Sequence, residues 1–323
     1  MPSSPLLPST AASACHPPGL ALLFVTEMWE RFSYYGMRAI LVLFLIAAPE
    51  AGGQGWSVEQ ASQLYGWYTG LVYLTPVIGG YLADRWLGTH RALVVGGSII
   101  AAGHFCLALE SPVWFYLGLA LIIAGTGLFK PNVSTMVGQL YGPEDPRRDS
   151  AFTLFYMGIN LGGLAGSLVC GYLAENPRFG WRYGFAAAGI GMGLGLAVYL
   201  AGRPRWLADV GSRPAEAAAL PTAGSPSGPQ DRHRVLALCL TSLFVVFFWM
   251  AYEQAGSSMT VFAERSTDRS LPEWLAPLVP LSSIPAAWFQ ALNPAFILVL
   301  APLASALWRH LDGRGQGPST PMK

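Results

Sequence analysis

Glu27, Glu30 and Arg31 put three ionisable groups inside a stretch, residues 20–47, that otherwise reads as a lipid-spanning helix. A lone Asp, Lys or Arg at the centre of a membrane helix costs about 2.5 to 3.5 kcal/mol on insertion scales, so such groups face a protein interior or a watery pathway. At the helical step of about 100° per residue, Glu27, Arg31, Tyr34 and Arg38 fall within about 60° on one face, with Glu30 beside them. A carboxylate next to a guanidinium in a low-dielectric cavity can exchange partners. Protonation frees the arginine for an anionic group, and loss of the proton re-forms the pair. Arginine suits this task because it stays charged and grips a carboxylate through parallel hydrogen bonds. The plainer alternative is a structural ion pair between Glu27 and Arg31 at i, i+4. A second acid and a second arginine on the same stripe exceed what self-neutralisation needs.

Other polar residues sit in apolar stretches further along. Lys130 precedes Pro131 and Asn132, where the proline removes a backbone donor and loosens the preceding turn. A lysine there is not expected to face lipid. Asn160 lies in Gly158-Ile159-Asn160-Leu161-Gly162-Gly163 and reads equally as helix-to-helix glue or as a substrate contact. Tyr73 reads as core, as an interfacial residue or as a ligand contact. Glu253 is the only carboxylate in the apolar part of its stretch, and its natural partner is a basic residue such as Arg38. An intramembrane enzyme using Glu27 or Glu30 is disfavoured, since no nucleophile is paired to a base and no metal-ligand spacing occurs. No cofactor or metal is expected. The cysteines, Cys15, Cys106, Cys170 and Cys239, read as packing residues.

The elements that carry these residues follow from composition. The chain is 53% hydrophobic and 11% charged, with a mean hydropathy of +0.41, whereas a soluble domain has about 25% charged residues. An all-α membrane protein embedded in a lipid bilayer is implied. The net charge of +1 comes with scattered basic residues and no single patch, so nucleic acid is not an expected partner. Stretches long enough to cross about 30 Å of hydrocarbon lie at 20–47, 61–84, 92–110, 113–140, 150–174, 182–201, 235–262 and 284–308. With the N-terminus inside, the inner loops hold twelve Lys and Arg and the outer loops four. The positive-inside rule then favours a multi-pass protein of the cytoplasmic (inner) membrane with a cytoplasmic N-terminus. The first 19 residues lack the basic start of a signal peptide, so the first helix is expected to stay as an anchor.

Five motifs carry a family resemblance. Glu27-Met28-Trp29-Glu30-Arg31 through Arg38 resembles the ExxER signature of the proton-dependent oligopeptide transporters, a branch of the major facilitator superfamily. Gly79-Gly80-Tyr81-Leu82-Ala83-Asp84-Arg85 resembles the superfamily's loop motif between helices 2 and 3. The stretch from Gly125 to Ser134 resembles the family's helix 4 motif, Phe248-Trp249 to Glu253-Gln254 its helix 7 motif, and Trp288 to Pro294 its helix 8 motif. The resemblance implies symport of di- and tripeptides with protons. Glu27, Glu30 and Arg31 would be the proton-coupling set, with Arg31 and Lys130 holding the peptide carboxylate. Tyr34, Tyr35, Tyr73, Asn160, Trp249 and Asn293 match positions that line the peptide pocket. Arg38 and Glu253 match an outer-gate pair, and Asp84 and Arg85 an inner structural latch.

The fold implied is that of the superfamily, with a complete N-terminal six-helix bundle (20–201) after a cytoplasmic tail (1–19). A cytoplasmic linker (202–233) precedes helices 7 and 8 of an incomplete C-terminal bundle (234–310) and a tail (311–323) that leads to an absent helix 9. The family's helix 10 carboxylate and helix 11 aromatics have no counterpart. No histidine occurs in the second stretch, so coupling should rest on carboxylates. Alternating access needs two halves that rock about a midplane site. The chain alone is therefore expected to transport poorly, and the alternative is a non-transporting truncated membrane protein or fragment. Peptide preference, proton stoichiometry and oligomeric state are not written in the sequence.

Overall fold

Pro18 at the first helical position has no N–H to leave unsatisfied, and from it α1 (Pro18–Ile46) runs 29 residues before Ala47 turns extended ahead of Pro49. At 1.5 Å per residue that is about 43 Å, enough to cross a bilayer. In the computed structural model, residues 15–142, 144–212, 214, 229–272, 281 and 283–314 are described, with the backbone alone at 229–234, 309 and 312.

A capping box of Ser57 and Gln60 starts α2 (Val58–Leu82), whose last turn widens into a π-helical segment, Ala83–Leu87. There follow α3 (Thr89–Leu107), α4 (Pro112–Gln139), α5 (Arg148–Glu175), α6 (Trp181–Trp206) and α7 (Pro229–Tyr252). A 3₁₀ turn, Glu253–Gly256, leads to the short α8 (Ser258–Ser266). A second 3₁₀ turn, Ala286–Ala291, leads into α9 (Leu292–Gly313). Among the described residues there is no sheet, only a single antiparallel bridge between Ser270 and Ser283.

Six stretches of the described residues are long and apolar enough to cross a membrane: Thr89–Leu107, Pro112–Gln139, Arg148–Glu175, Trp181–Trp206, Val235–Ser266 and Ala286–Trp308. The eight expected from sequence include two, α1 and α2, that are long enough but more polar. Four charged residues lower the apolarity of α1, and tyrosine, tryptophan and glycine dilute α2. The charges of α1 do not meet lipid, since Glu27, Glu30, Arg31 and Arg38 are all buried. The stretch expected as one helix over 235–262 is instead broken at Glu253–Gly256, where Gly256 is a poor helix former and Ser257 leaves helical geometry. The expected linker overlaps α6, which continues to Trp206; most of the remaining linker and the end of the tail, 315–323, lie outside the described residues.

The core is built around α1. A Cβ on Gly162 or Gly166 of α5 would lie 2.1 Å from Met28 O or 2.3 Å from Phe32 O, so only glycine lets α5 approach that closely. Cys170, buried on α5, fills the space beside Gly36, whereas Cys239 on α7 is exposed and does not pack as expected. On another side of α1, Ser33 Oγ and His104 Nε2 of α3 lie 2.9 Å apart, both buried. The later helices meet this bundle along α5. Glu175, the last residue of α5, accepts from the backbone N–H of Ala286 (2.8 Å) and Ala287 (2.9 Å). Nearer the middle of α5, the Trp288 indole donates to Leu168 O at 2.9 Å.

Candidate functional site

The polar stripe of α1 forms two clusters about two turns apart. In the first, Arg31 Nε lies 3.0 Å from Glu27 Oε1 and also contacts Glu30 Oε2. All three side chains are nearly or wholly closed to solvent, at 4% exposure or less. Yet Glu27 Oε2, Glu30 Oε1 and Arg31 Nη2 have no hydrogen-bond partner. One guanidinium thus faces two carboxylates, leaving both a spare cationic donor and spare acceptors in a buried place. Such a cluster is balanced only if a proton or another cation joins it, and once a carboxylate is protonated the guanidinium can turn to an incoming anion. Lys130 of α4 is within electrostatic reach of Glu27 and Glu30. Its ammonium sits 4.3 Å from the centre of the Tyr73 ring, a cation–π contact.

The second cluster crosses between elements. Arg38 Nη2 pairs with Glu253 Oε2 at 2.9 Å, with side-chain exposures of 4% and 17%. Arg38 Nε also donates to the Tyr65 hydroxyl, 2.6 Å away. Tyr65 in turn donates to Glu253 Oε2 at 3.2 Å, and Tyr73 donates to Oε1 at 3.3 Å. Two tyrosines of α2 and an arginine of α1 therefore hold the carboxylate that begins the turn after α7.

Between α1, α5, α7 and α9 lies a cavity of about 270 Å³, lined by Tyr35, Arg38, Asn160, Trp249 and Asn293 among others. Asn160 donates to Tyr156 O at 2.9 Å, and Asn293 accepts from the Tyr252 hydroxyl at 3.0 Å. A larger, more open hollow of about 710 Å³ lies between α2 and α7, with Tyr73, Trp249 and Glu253 on its wall. Tyr34 borders neither hollow: it is buried, its hydroxyl has no partner, and the Arg31 guanidinium carbon is 5.2 Å from its ring centre. Asp84 and Arg85 stand apart on the π-helical segment, both exposed. Arg85 reaches the Tyr81 hydroxyl at 3.4 Å, and among the described residues neither makes an ion pair.

Sequence reasoning passed over several residues of these hollows. Tyr252 and Gln290 line the smaller one and stand inside the motifs already singled out. Tyr156 lies one turn before Asn160, and Tyr65 two turns before Tyr73 on the same face of α2. That helical spacing was the available signal. Among the described residues no group of His, Cys, Asp and Glu could hold a metal ion.

The described residues form an all-helical, membrane-spanning fold of the major facilitator type. Within that class the match is specific. The sequence profile described as "POT family" fits residues 90–217 and 226–323. The chain belongs to the POT family, the peptide and proton symporters, a group of transporters rather than enzymes. It is 37% identical to the "Uncharacterized transporter YclF" of Bacillus subtilis (strain 168), over 95% of this chain and 70% of that protein. It is 36% identical to the "Peptide transporter YePEPT" of Yersinia enterocolitica, over 94% of this chain and 70% of that one. The solved structure "Crystal structure of peptide transporter POT in complex with sulfate" superposes with a TM-score of 0.74 at 32% identity, covering 97% of this chain and 72% of the other.

Proposed function

We propose that the protein binds di- and tripeptides and couples their movement to protons across the cytoplasmic membrane. One observation carries this reading: a buried arginine is shared by two buried carboxylates while each of the three keeps an unpartnered polar atom. That imbalance suits a site that takes up a proton together with an anionic group. Glu27, Glu30 and Arg31 form the proton-coupling set. Arg31 and Lys130 receive the peptide carboxylate, and Tyr34, Tyr35, Tyr73, Asn160, Trp249 and Asn293 surround the peptide. Arg38 and Glu253 close the outer side, and Asp84 and Arg85 act at the inner face. Relatives support the substrate class, two of them from Lactococcus lactis being named "Di-/tripeptide transporter".

The same reading divides the spans into six (α1 to α6, 20–201) and two (α7 with α8, and α9, 234–310), joined by a linker over 202–233. It places the N-terminus and the segments 1–19 and 311–323 in the cytoplasm. The test is binding of a radiolabelled dipeptide to the purified chain in nanodiscs, followed by accumulation in proteoliposomes under an inward proton gradient. Arg31→Lys should weaken binding by tenfold or more, because an ammonium cannot make the forked carboxylate contact (about 1.5 to 3 kcal/mol for a charged hydrogen bond). Undiminished binding removes Arg31 from the site. Gradient-driven accumulation supports symport, and binding without it supports the non-transporting alternative.

A further inference from the structure

The Arg38–Glu253 pair is not a two-body contact. Tyr65, buried on α2, completes a closed ring of bonds. Its hydroxyl accepts from Arg38 Nε at 2.6 Å and donates to Glu253 Oε2 at 3.2 Å, the same oxygen that Arg38 Nη2 meets at 2.9 Å. A phenol has one proton to give and lone pairs to receive, so it can serve a cation and an anion at once. Tyr73 also reaches Glu253, but at 3.3 Å, on the other oxygen and from a side chain 42% exposed. It has no bond to Arg38.

Room for the Tyr65 ring comes from the chain of Glu253 itself. A Cβ on Gly256, three residues on, would lie 2.0 Å from the Tyr65 hydroxyl oxygen and 2.4 Å from the ring carbon that bears it. Any side chain at 256 must push the phenol away from both ions. The 3₁₀ turn Glu253–Gly256 therefore presents the carboxylate and, one turn later, the gap that lets its third partner in.

We propose that Tyr65 is the positioning residue of the outer closure, fixing Arg38 and Glu253 in register, and that Gly256 exists as glycine to admit it. The proposal rests on the reading of Arg38 and Glu253 as the outer closure. When the hydroxyl is lost, Arg38 keeps its charge but swings about a single contact, and the two parts of the molecule separate more often at their outer end.

Hydrogen exchange of the whole chain in nanodiscs, read by mass spectrometry over Ser258–Ser266, tests this. Glu253→Gln should raise exchange there roughly a hundredfold, Tyr65→Phe about tenfold and Gly256→Ala at least as much as Tyr65→Phe, with α3 and α4 unchanged. The double variant Tyr65→Phe with Glu253→Gln should match Glu253→Gln within about a factor of two, because the phenol then has no pair to position. A packing role alone would make the two effects multiply. If Glu253→Gln opens the segment while Tyr65→Phe or Gly256→Ala leaves it unchanged, or the double effect is multiplicative, the role of Tyr65 is overturned. If Glu253→Gln itself opens nothing, the closure reading fails, and this proposal with it.

Discussion

Two seams join the helices up to Trp206 to those after Pro229, and they are built differently. At the seam of α1, α2 and α7 every tie is side chain to side chain: Arg38 to Glu253, Tyr65 to both, Tyr73 to Glu253. At the seam of α5 with the Ala286–Ala291 turn, the ties to the turn itself end on main chain, beside one side-chain ion pair from Arg269. Glu175 accepts from the N–H groups of Ala286 and Ala287, and the Trp288 indole N–H donates to Leu168 O. Arg269 adds a cation, 3.2 Å from Glu175 Oε2 and 2.6 Å from Glu264 Oε2. Side chains can swing to new partners, whereas backbone groups of a helix end have nowhere else to turn without unwinding. On the proposed reading of Arg38 and Glu253 as the outer closure, the first seam is the one that opens, the second stays shut and α5 serves as the fixed edge.

The sharpest way to break that contrast is Arg38→Ala. It strands a carboxylate of low exposure without its cation, and breaking a buried pair from one side costs about 3 to 5 kcal/mol. The cost should fall on the closed arrangement, so unfolding of the whole chain in a denaturant titration should lose less than this while exchange at Ser258–Ser266 rises. Equal losses by both measures would show that the first seam is as structural as the second. Glu175→Ala comes next, at about 2 to 4 kcal/mol, because two N–H groups of wholly buried alanines lose their acceptor while Arg269 keeps Glu264. Here stability to denaturant should fall while local exchange at Ala286 and Ala287 rises. A change confined to exchange at the outer end of α8 would reverse the assignment of fixed and moving seams.

The first seam could be anticipated from sequence and the second could not. Arg38 sits on a charged stripe that lipid forbids, and Glu253 is a lone acid in an apolar stretch, so each announces a need for a partner. Tyr65 carries no such signal alone, since a tyrosine in a membrane helix serves core, interface or ligand equally well. Its role emerges only when a face of α2 is seen against Gly256. Glu175 lies at a helix end beside a loop, where an acid is expected to be solvated. Its backbone partners lie more than a hundred residues on, in a turn whose position no local pattern fixes. The break at Glu253–Gly256 did leave a local mark, since Glu253-Gln254-Ala255-Gly256-Ser257-Ser258 interrupts the apolar run with polar residues and a poor helix former.

The smallest expected effect sharpens the comparison most, because it removes one bond and part of one side chain from the fixed seam. Trp288→Phe keeps an aromatic ring over Gly171, where a glycine is needed because a Cβ would lie 2.7 Å from that of Ala287. It deletes the indole donor to Leu168 O together with the second ring of the side chain. A neutral hydrogen bond contributes about 0.5 to 1.5 kcal/mol, and a carbonyl inside α5 keeps its helical donor when the indole leaves. With the lost ring added, the loss should lie near the upper end of that range in a denaturant titration, with dipeptide binding and exchange at Ser258–Ser266 unaltered. Were Trp288→Phe instead to release the outer end of α8 as is expected of Tyr65→Phe, the two seams would be mechanically one, and α5 would move with the closure rather than hold against it.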